Sequence, residues 1–147
     1  MRFAAVLACL YAGHDVGDHI VQTDHQAAAK AGPGVAGWRA MAGHVAGYHA
    51  VQLGALLAAD RVLGLGLRPG RVAAALALSA GTHGLLDRRW PVRWVLRRAG
   101  SAGIAELQAP LNGAYLADQA LHRGCLWAAA LLAAGGRTRL PTTGGEA

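Results

Sequence analysis

The chain has 147 residues, enough for one domain, and carries a net charge of +6. Hydrophobic residues make up 54% of it and charged residues 15%, a composition richer in apolar and poorer in charged residues than that of an average soluble protein. Its two cysteines lie in apolar segments, so we interpret them as small buried residues and exclude a disulfide framework. Most apolar positions are Ala or Gly, which favours closely packed membrane helices over the alternative, a soluble Ala-rich bundle.

Four apolar segments with a helical pattern follow one another between breaks rich in Gly and Pro. We predict helices at about residues 3–24, 41–63, 71–87 and 111–135, with breaks over about 31–37 and 65–70. Short connections join neighbouring helices in opposite directions. The sequence therefore predicts an all-α, up-and-down, four-helix transmembrane bundle over residues 1–136, followed by a disordered tail over residues 137–147.

A basic amphipathic segment lies between the third and fourth predicted helices. It reads DRRWPVRWVLRRAG from residue 87, and its Val, Leu and Trp side chains supply apolar contact. Basic helices with tryptophans are typical of the membrane interface, and a solvated basic loop is the alternative. We predict an interfacial helix that contacts the lipid bilayer, with anionic headgroups as its partners and nucleic acid less favoured. The contacting residues would be Arg88, Arg89, Arg93, Arg97 and Arg98.

Polar residues recur on one face of each predicted helix. Three His–Asp pairs are spaced i, i+4 and so face one direction; they are His14 with Asp18, His83 with Asp87, and Asp118 with His122. In an up-and-down bundle, late positions of the first and third helices lie level with early positions of the second and fourth. The sequence therefore predicts that all three pairs share one polar site, with His44 of the second helix at its edge.

Buried ionisable groups are costly unless they are paired or bind a metal. Neutral imidazole and carboxylate oxygen suit Zn²⁺, Mn²⁺ or Fe²⁺, so we predict a divalent metal, with Zn²⁺ as the leading candidate. The alternative is three separate His–Asp hydrogen bonds. In the metal hypothesis Asp24 or an unligated Asp acts as general base, and Gln22 is the second candidate catalytic residue.

Four stretches of the chain resemble a known family. They are GHDVGDHIVQTDHQAAAK, AGHVAGYHA, THGLLDRRWPVR and GAYLADQALHRG. They are similar to segments of a bacterial, actinobacterial-type family of small multi-helix membrane proteins catalogued as domain of unknown function 3307. The resemblance implies a membrane location and a four-helix fold without an established activity. His49 and Ala120 depart from the family pattern, and the motifs also resemble those of membrane-bound metal-dependent hydrolases.

Three functions remain open at this point. The favoured one is a metal-dependent hydrolase that acts on a lipid or a membrane-proximal ester. The second is a proton or metal-ion carrier that uses the same His and Asp residues, although the helix halves beyond Gln52 and Arg123 are nearly all apolar. The third is a non-catalytic membrane scaffold or regulatory protein. We predict a multi-pass location in the cell membrane, with the polar site on the cytoplasmic side because arginines cluster after Asp87.

Overall fold

The computed structural model describes residues 1–110 and 112–135, which contain helices and no strand. A π-helical turn, Gly17–Val21, continues the first helix, and a 3₁₀ turn, Ala102–Glu106, precedes the last. The disordered tail predicted over residues 137–147 lies outside the described residues. The helices are α1 (Arg2–Val16), α2 (Asp24–Ala29), α3 (Gly34–Leu63), α4 (Pro69–Leu86), α5 (Trp90–Arg98) and α6 (Gly113–Ala134).

None of the helices within the described residues combines the length and the apolar character that crossing a bilayer requires. The predictions of a transmembrane four-helix bundle, of a membrane protein and of a multi-pass location in the cell membrane, with the site on its cytoplasmic side, are therefore wrong. The helices fall short for two physical reasons. Their many Ala and Gly residues contribute little transfer free energy, and buried polar side chains such as His44 and Gln52 interrupt the apolar residues of the longest helix, α3.

The region between α1 and α3 differs most from the predicted elements. α3 begins at Gly34, inside the predicted break, and α2 is an additional helix. α2 begins with a capping box, in which Thr23 accepts a hydrogen bond from the backbone N–H of Gln26 and the Gln26 side chain accepts one from the backbone N–H of Thr23. These two bonds satisfy amides that a helix start leaves free, so a new helix can begin here.

The basic segment after Asp87 forms α5. Its apolar face, which includes Val92 and Leu96, is buried and packs against α6 side chains such as Leu121. The opposite face of α5 and the residue before it carry exposed arginines, Arg89, Arg93, Arg97 and Arg98. Binding of anionic headgroups by this segment stays a prediction.

The core of the bundle is apolar at one end and polar at the other. α1 and α4 run from the apolar end to the polar end, whereas α3 and α6 run in the opposite direction. The apolar end contains Val6, Leu10, Leu56, Leu65, Val72, Ala75, Leu126, Ala129, Ala130 and Ala133. The buried polar and charged residues, at the polar end, are His14, His44, Gln52, Ser79, His83, Asp87, Gln119 and His122.

Two glycines one helical turn apart allow α1 and the π-helical turn to approach α3 closely. A Cβ atom at Gly13 would lie 2.9 Å from Cγ of Gln52, and one at Gly17 would lie 2.7 Å from Cδ2 of Tyr48. Both partner side chains are fully buried, so neither has free space to move into. The close approach places Asp18 beside the polar part of α3.

Gly17→Ala is expected to lower the free energy of unfolding by about 1–3 kcal/mol, because the added methyl group overpacks the contact with Tyr48. Helix propensity alone would act in the opposite direction by about 1 kcal/mol. Gly54→Ala is the control, since Gly54 lies in α3 with open space around it, and it should be neutral or stabilising. Urea denaturation measures both variants, and a Gly17→Ala protein as stable as the parent would contradict the proposed close packing.

Candidate metal centre

Four side chains from three parts of the fold meet in one buried site. Asp18 lies in the π-helical turn, His44 in the first half of α3, and His83 and Asp87 at the C-terminal end of α4. A π-helical turn adds one residue to a helical turn and is frequent at functional sites. We call these four side chains the His/Asp cluster.

The cluster brings together Oδ1 of Asp18, Oδ2 of Asp87 and Nε2 of both histidines. The two nitrogen atoms are 2.8 Å apart. Nε2 of His44 lies 3.2 Å from each of the two oxygen atoms, and Nε2 of His83 lies 3.4 Å from Asp18 and 3.2 Å from Asp87. Ligands that are 2.0–2.2 Å from a tetrahedral ion lie about 3.3–3.6 Å from one another. The nitrogen–nitrogen distance and the four nitrogen–oxygen distances are therefore within about half an ångström of the spacing between ligands of one ion.

Hydrogen bonds cannot satisfy all of these atoms at once. Oδ1 of Asp18 and Oδ2 of Asp87 are buried and face the two imidazole nitrogens, and the Lys30 ammonium also reaches Oδ2 of Asp87, at 2.9 Å. Nε2 of His44 and Nε2 of His83 can share at most one proton. Lone pairs that converge in this way repel one another unless a cation or a proton lies between them. The groups that could hold a metal ion are His14, Asp18 and His83, and His44, His83 and Asp87.

Electrostatic interactions keep both carboxylates of the cluster charged. Burial alone would raise their pKa values, but the nearby histidines and the Lys30 ammonium lower the pKa of Asp18 and of Asp87 below the usual range. Burial also lowers the pKa of His83, whereas for His44 the two carboxylates outweigh burial and raise the pKa. The geometry and charges therefore make His44 the more basic of the two rings.

Lys30 is a further member of the site that the sequence analysis did not identify. Its Nζ lies 2.9 Å from Oδ2 of Asp87 and 3.2 Å from Nε2 of His44. The side chain is only 11% exposed, so most of it is buried beside the cluster. Lys30 ends α2, and no helix was predicted from the pattern there.

A hydrogen-bond chain crosses the bundle beside the cluster. The Gln52 amide donates to the Tyr48 hydroxyl at 3.0 Å, and that hydroxyl donates to Nδ1 of His14 at 3.0 Å. Nε2 of His14 then donates to the side-chain oxygen of Gln119 at 2.9 Å, since the amide nitrogen of that residue faces a carboxylate. Burial lowers the pKa of His14, which is consistent with a neutral ring. Nδ1 of His14 is also 3.4 Å from Oδ2 of Asp18, so the hydrogen-bond chain lies directly beside that carboxylate.

The third predicted pair borders the cluster without joining it. Nδ1 of His122 bonds to the backbone oxygen of Asp118 at 2.9 Å and lies 3.4 Å from its Oδ2. The His122 ring lies 4.6 Å from the ring of His83 and stacks on His14 at 5.4 Å, measured between centroids. Asp118 and His122 belong to neither group that could hold an ion among the described residues. His44, predicted at the edge, lies at the centre instead.

The two candidate catalytic residues, Asp24 and Gln22, lie on either side of Thr23. Asp24 is exposed in the first turn of α2. The Gln22 amide donates to the backbone oxygen of Asp18 at 3.2 Å, while its side-chain oxygen is buried without a partner in the described chain. Gln22 therefore supports the π-helical turn that carries Asp18, and Asp18 is the carboxylate placed at the cluster.

Comparison with family models, with curated proteins and with solved structures finds no match to this chain. The resemblance to the bacterial family named above therefore stays a prediction. The function has to be argued from the geometry of the His/Asp cluster.

Tyr48→Phe is expected to lower the free energy of unfolding by about 1–3 kcal/mol, because it leaves buried polar groups of His14 and Gln52 without their shared partner. Tyr11→Phe is the matched control. It removes a hydroxyl that bonds to the backbone oxygen of Arg123 at 3.3 Å in an exposed position, and it should cost less than about 0.5 kcal/mol. Chemical denaturation compares the two variants. Equal losses of unfolding free energy in the two variants would show that the hydrogen-bond chain through Tyr48 does not stabilise the fold.

Proposed function

We propose that the His/Asp cluster binds one divalent metal ion, best matched by Zn²⁺, and that the chain is a metal-dependent hydrolase of esters. The observation that carries the proposal is the convergence of two imidazole nitrogens and two carboxylate oxygens at 2.8–3.4 Å. Zn²⁺ binds such nitrogen and oxygen ligands in tetrahedral geometry. Mn²⁺ and Fe²⁺ accept the same donor atoms and are the other candidates.

Three of the four side chains are assigned as ligands in this proposal. His44, His83 and Asp87 are all buried and form one of the groups that could hold an ion. An ion with three protein ligands keeps a position for water and lowers the pKa of that water to about 7. Asp18 adjoins the same nitrogens, 3.2 Å from His44 and 3.4 Å from His83, so it can accept the proton of the bound water.

Lys30 supports a catalytic ion over a purely structural one. Structural zinc sites are closed by four protein ligands, whereas here a partly exposed lysine lies beside the three assigned ligands. A lysine at the rim of the cluster can stabilise the negative charge that develops on an ester oxygen during attack by water, once its ammonium no longer pairs with Asp87.

The protein is expected to retain about one equivalent of Zn²⁺ after incubation with the ion and dialysis, because one cluster supplies the ligands. His83→Ala should reduce the retained metal to background, since His83 belongs to both groups that could hold an ion. His25→Ala removes an exposed histidine of α2 and is the control. Elemental analysis measures the content. A His83→Ala protein that keeps as much zinc as the His25→Ala protein would contradict the assigned centre.

Asp18→Asn is expected to lower kcat for hydrolysis by about 10²–10⁴-fold while zinc is retained, because the amide cannot accept the proton of the bound water. Asp24→Asn, at an exposed position, should leave the rate unchanged. The rates are measured with p-nitrophenyl acetate and p-nitrophenyl phosphate in the presence of Zn²⁺. Loss of activity in Asp24→Asn alone would assign the base to Asp24. Absence of zinc-dependent hydrolysis of either substrate by the parent protein would count against the hydrolase.

A further inference from the structure

The Lys30 ammonium contacts the same atoms that the proposed metal would use. It forms an ion pair with Oδ2 of Asp87 at 2.9 Å and lies 3.2 Å from Nε2 of His44. Both are ligand atoms in the proposed centre. A divalent ion bound to them would therefore lie close to the ammonium, and two positive charges at such a distance repel strongly in a buried site. Lys30 has to leave Asp87 before, or as, the metal binds.

Arg88 holds the backbone that carries Lys30. Its guanidinium donates to the backbone oxygen of Lys30 at 2.9 Å and to that of Gly32 at 3.1 Å, and it lies 4.7 Å above the centre of the Trp38 ring. The planar guanidinium donates to two carbonyl oxygens at once, which fixes its orientation. A lysine at position 88 could not reproduce this geometry. The turn after α2, which contains Lys30 and Gly32, also packs against α3, since a Cβ atom at Gly37 would clash with the Gly32 carbonyl oxygen.

Lys30 is held at both its backbone and its side chain by neighbouring residues of one segment. Arg88 follows Asp87 directly in the chain, so the residue that bonds to the Lys30 backbone is covalently joined to the residue that pairs with its ammonium. Movement of the turn would separate both contacts together. The Lys30 side chain is therefore held near the cluster, whereas an exposed lysine would sample many conformations.

We propose that Lys30 is an internal cation that competes with the metal for Asp87 and His44, and that Arg88 is the positioning residue that keeps it there. The proposal rests on the metal centre argued above but not on hydrolysis. In the metal-free protein the ammonium balances the charge of Asp87. When the metal binds, the ammonium is displaced toward solvent, where it can meet an anionic group of the substrate.

Zinc affinity of Lys30 variants tests the proposal directly. Lys30→Met removes the charge and keeps a long side chain, and it is expected to bind Zn²⁺ at least about tenfold more tightly than the parent because the repulsion is gone. Lys30→Gln is a second neutral variant with a polar end, and it should show the same direction. Lys30→Arg keeps the charge and should bind as weakly as the parent. Competition with a zinc-binding dye measures all four dissociation constants.

Two further variants separate the role of Arg88 from general charge effects. Arg88→Lys keeps the charge but loses the fork, so it should bind Zn²⁺ more tightly than the parent, by less than Lys30→Met does. Arg93→Met removes one exposed positive charge from α5 and should leave the zinc affinity unchanged. An unchanged affinity in Arg88→Lys would overturn the positioning role of Arg88.

The remaining outcomes are decisive in different ways. Zinc binding by Lys30→Met that is equal to or weaker than that of the parent would overturn the competition. No zinc binding by the parent or by either neutral variant would overturn both the competition and the metal centre. Tighter binding by the neutral variants together with an absence of ester hydrolysis would support the competition and count against the hydrolase alone.

Discussion

The carboxylates of Asp18 and Asp87 are buried around the same two imidazole rings, and such charges persist in a protein interior only when a proton or a cation balances them. Lys30 supplies one positive charge, and the raised pKa of His44 favours a second on that ring. A divalent ion could replace both. The polar end of the bundle is therefore organised by a need for positive charge, which a metal site and an internal ion network meet in different ways.

The packing of the helices around the site buries its charged side chains. Gly13 and Gly17 let α1 lie against α3, and the π-helical turn then directs Asp18 toward His44. The apolar end of the bundle supplies the packed core that holds the helices together. The hydrogen-bond chain that links Gln52, Tyr48, His14 and Gln119 fixes the polar groups next to the cluster. Packing and hydrogen bonding thus position ligand atoms whose mutual repulsion would otherwise separate them.

The sequence was sufficient to predict that His–Asp pairs from different helices meet, since i, i+4 spacing and antiparallel order are visible in it. It was insufficient for the arrangement within the site. Lys30 reaches the cluster from α2, a helix of six residues that is too short to show a periodic pattern, although the capping box of Thr23 and Gln26 is readable. The membrane prediction failed because abundant Ala and Gly were interpreted as the signature of closely packed membrane helices, although these residues leave every described helix short of the length and apolar character that a bilayer requires. His44 is central because its Nε2 contacts Asp18 of the π-helical turn and both His83 and Asp87 of α4.

Zinc X-ray absorption spectroscopy on the protein loaded with one equivalent of Zn²⁺ tests the central claim most directly. The proposed centre predicts nitrogen and oxygen ligands at about 2.0–2.2 Å, with the scattering pattern of two imidazole rings and no sulfur. A sulfur shell at about 2.3 Å would show that zinc binds a cysteine instead. A shell of oxygen ligands without imidazole would show adventitious binding to surface carboxylates. Either of these two spectra would contradict a metal centre at His44, His83 and Asp87.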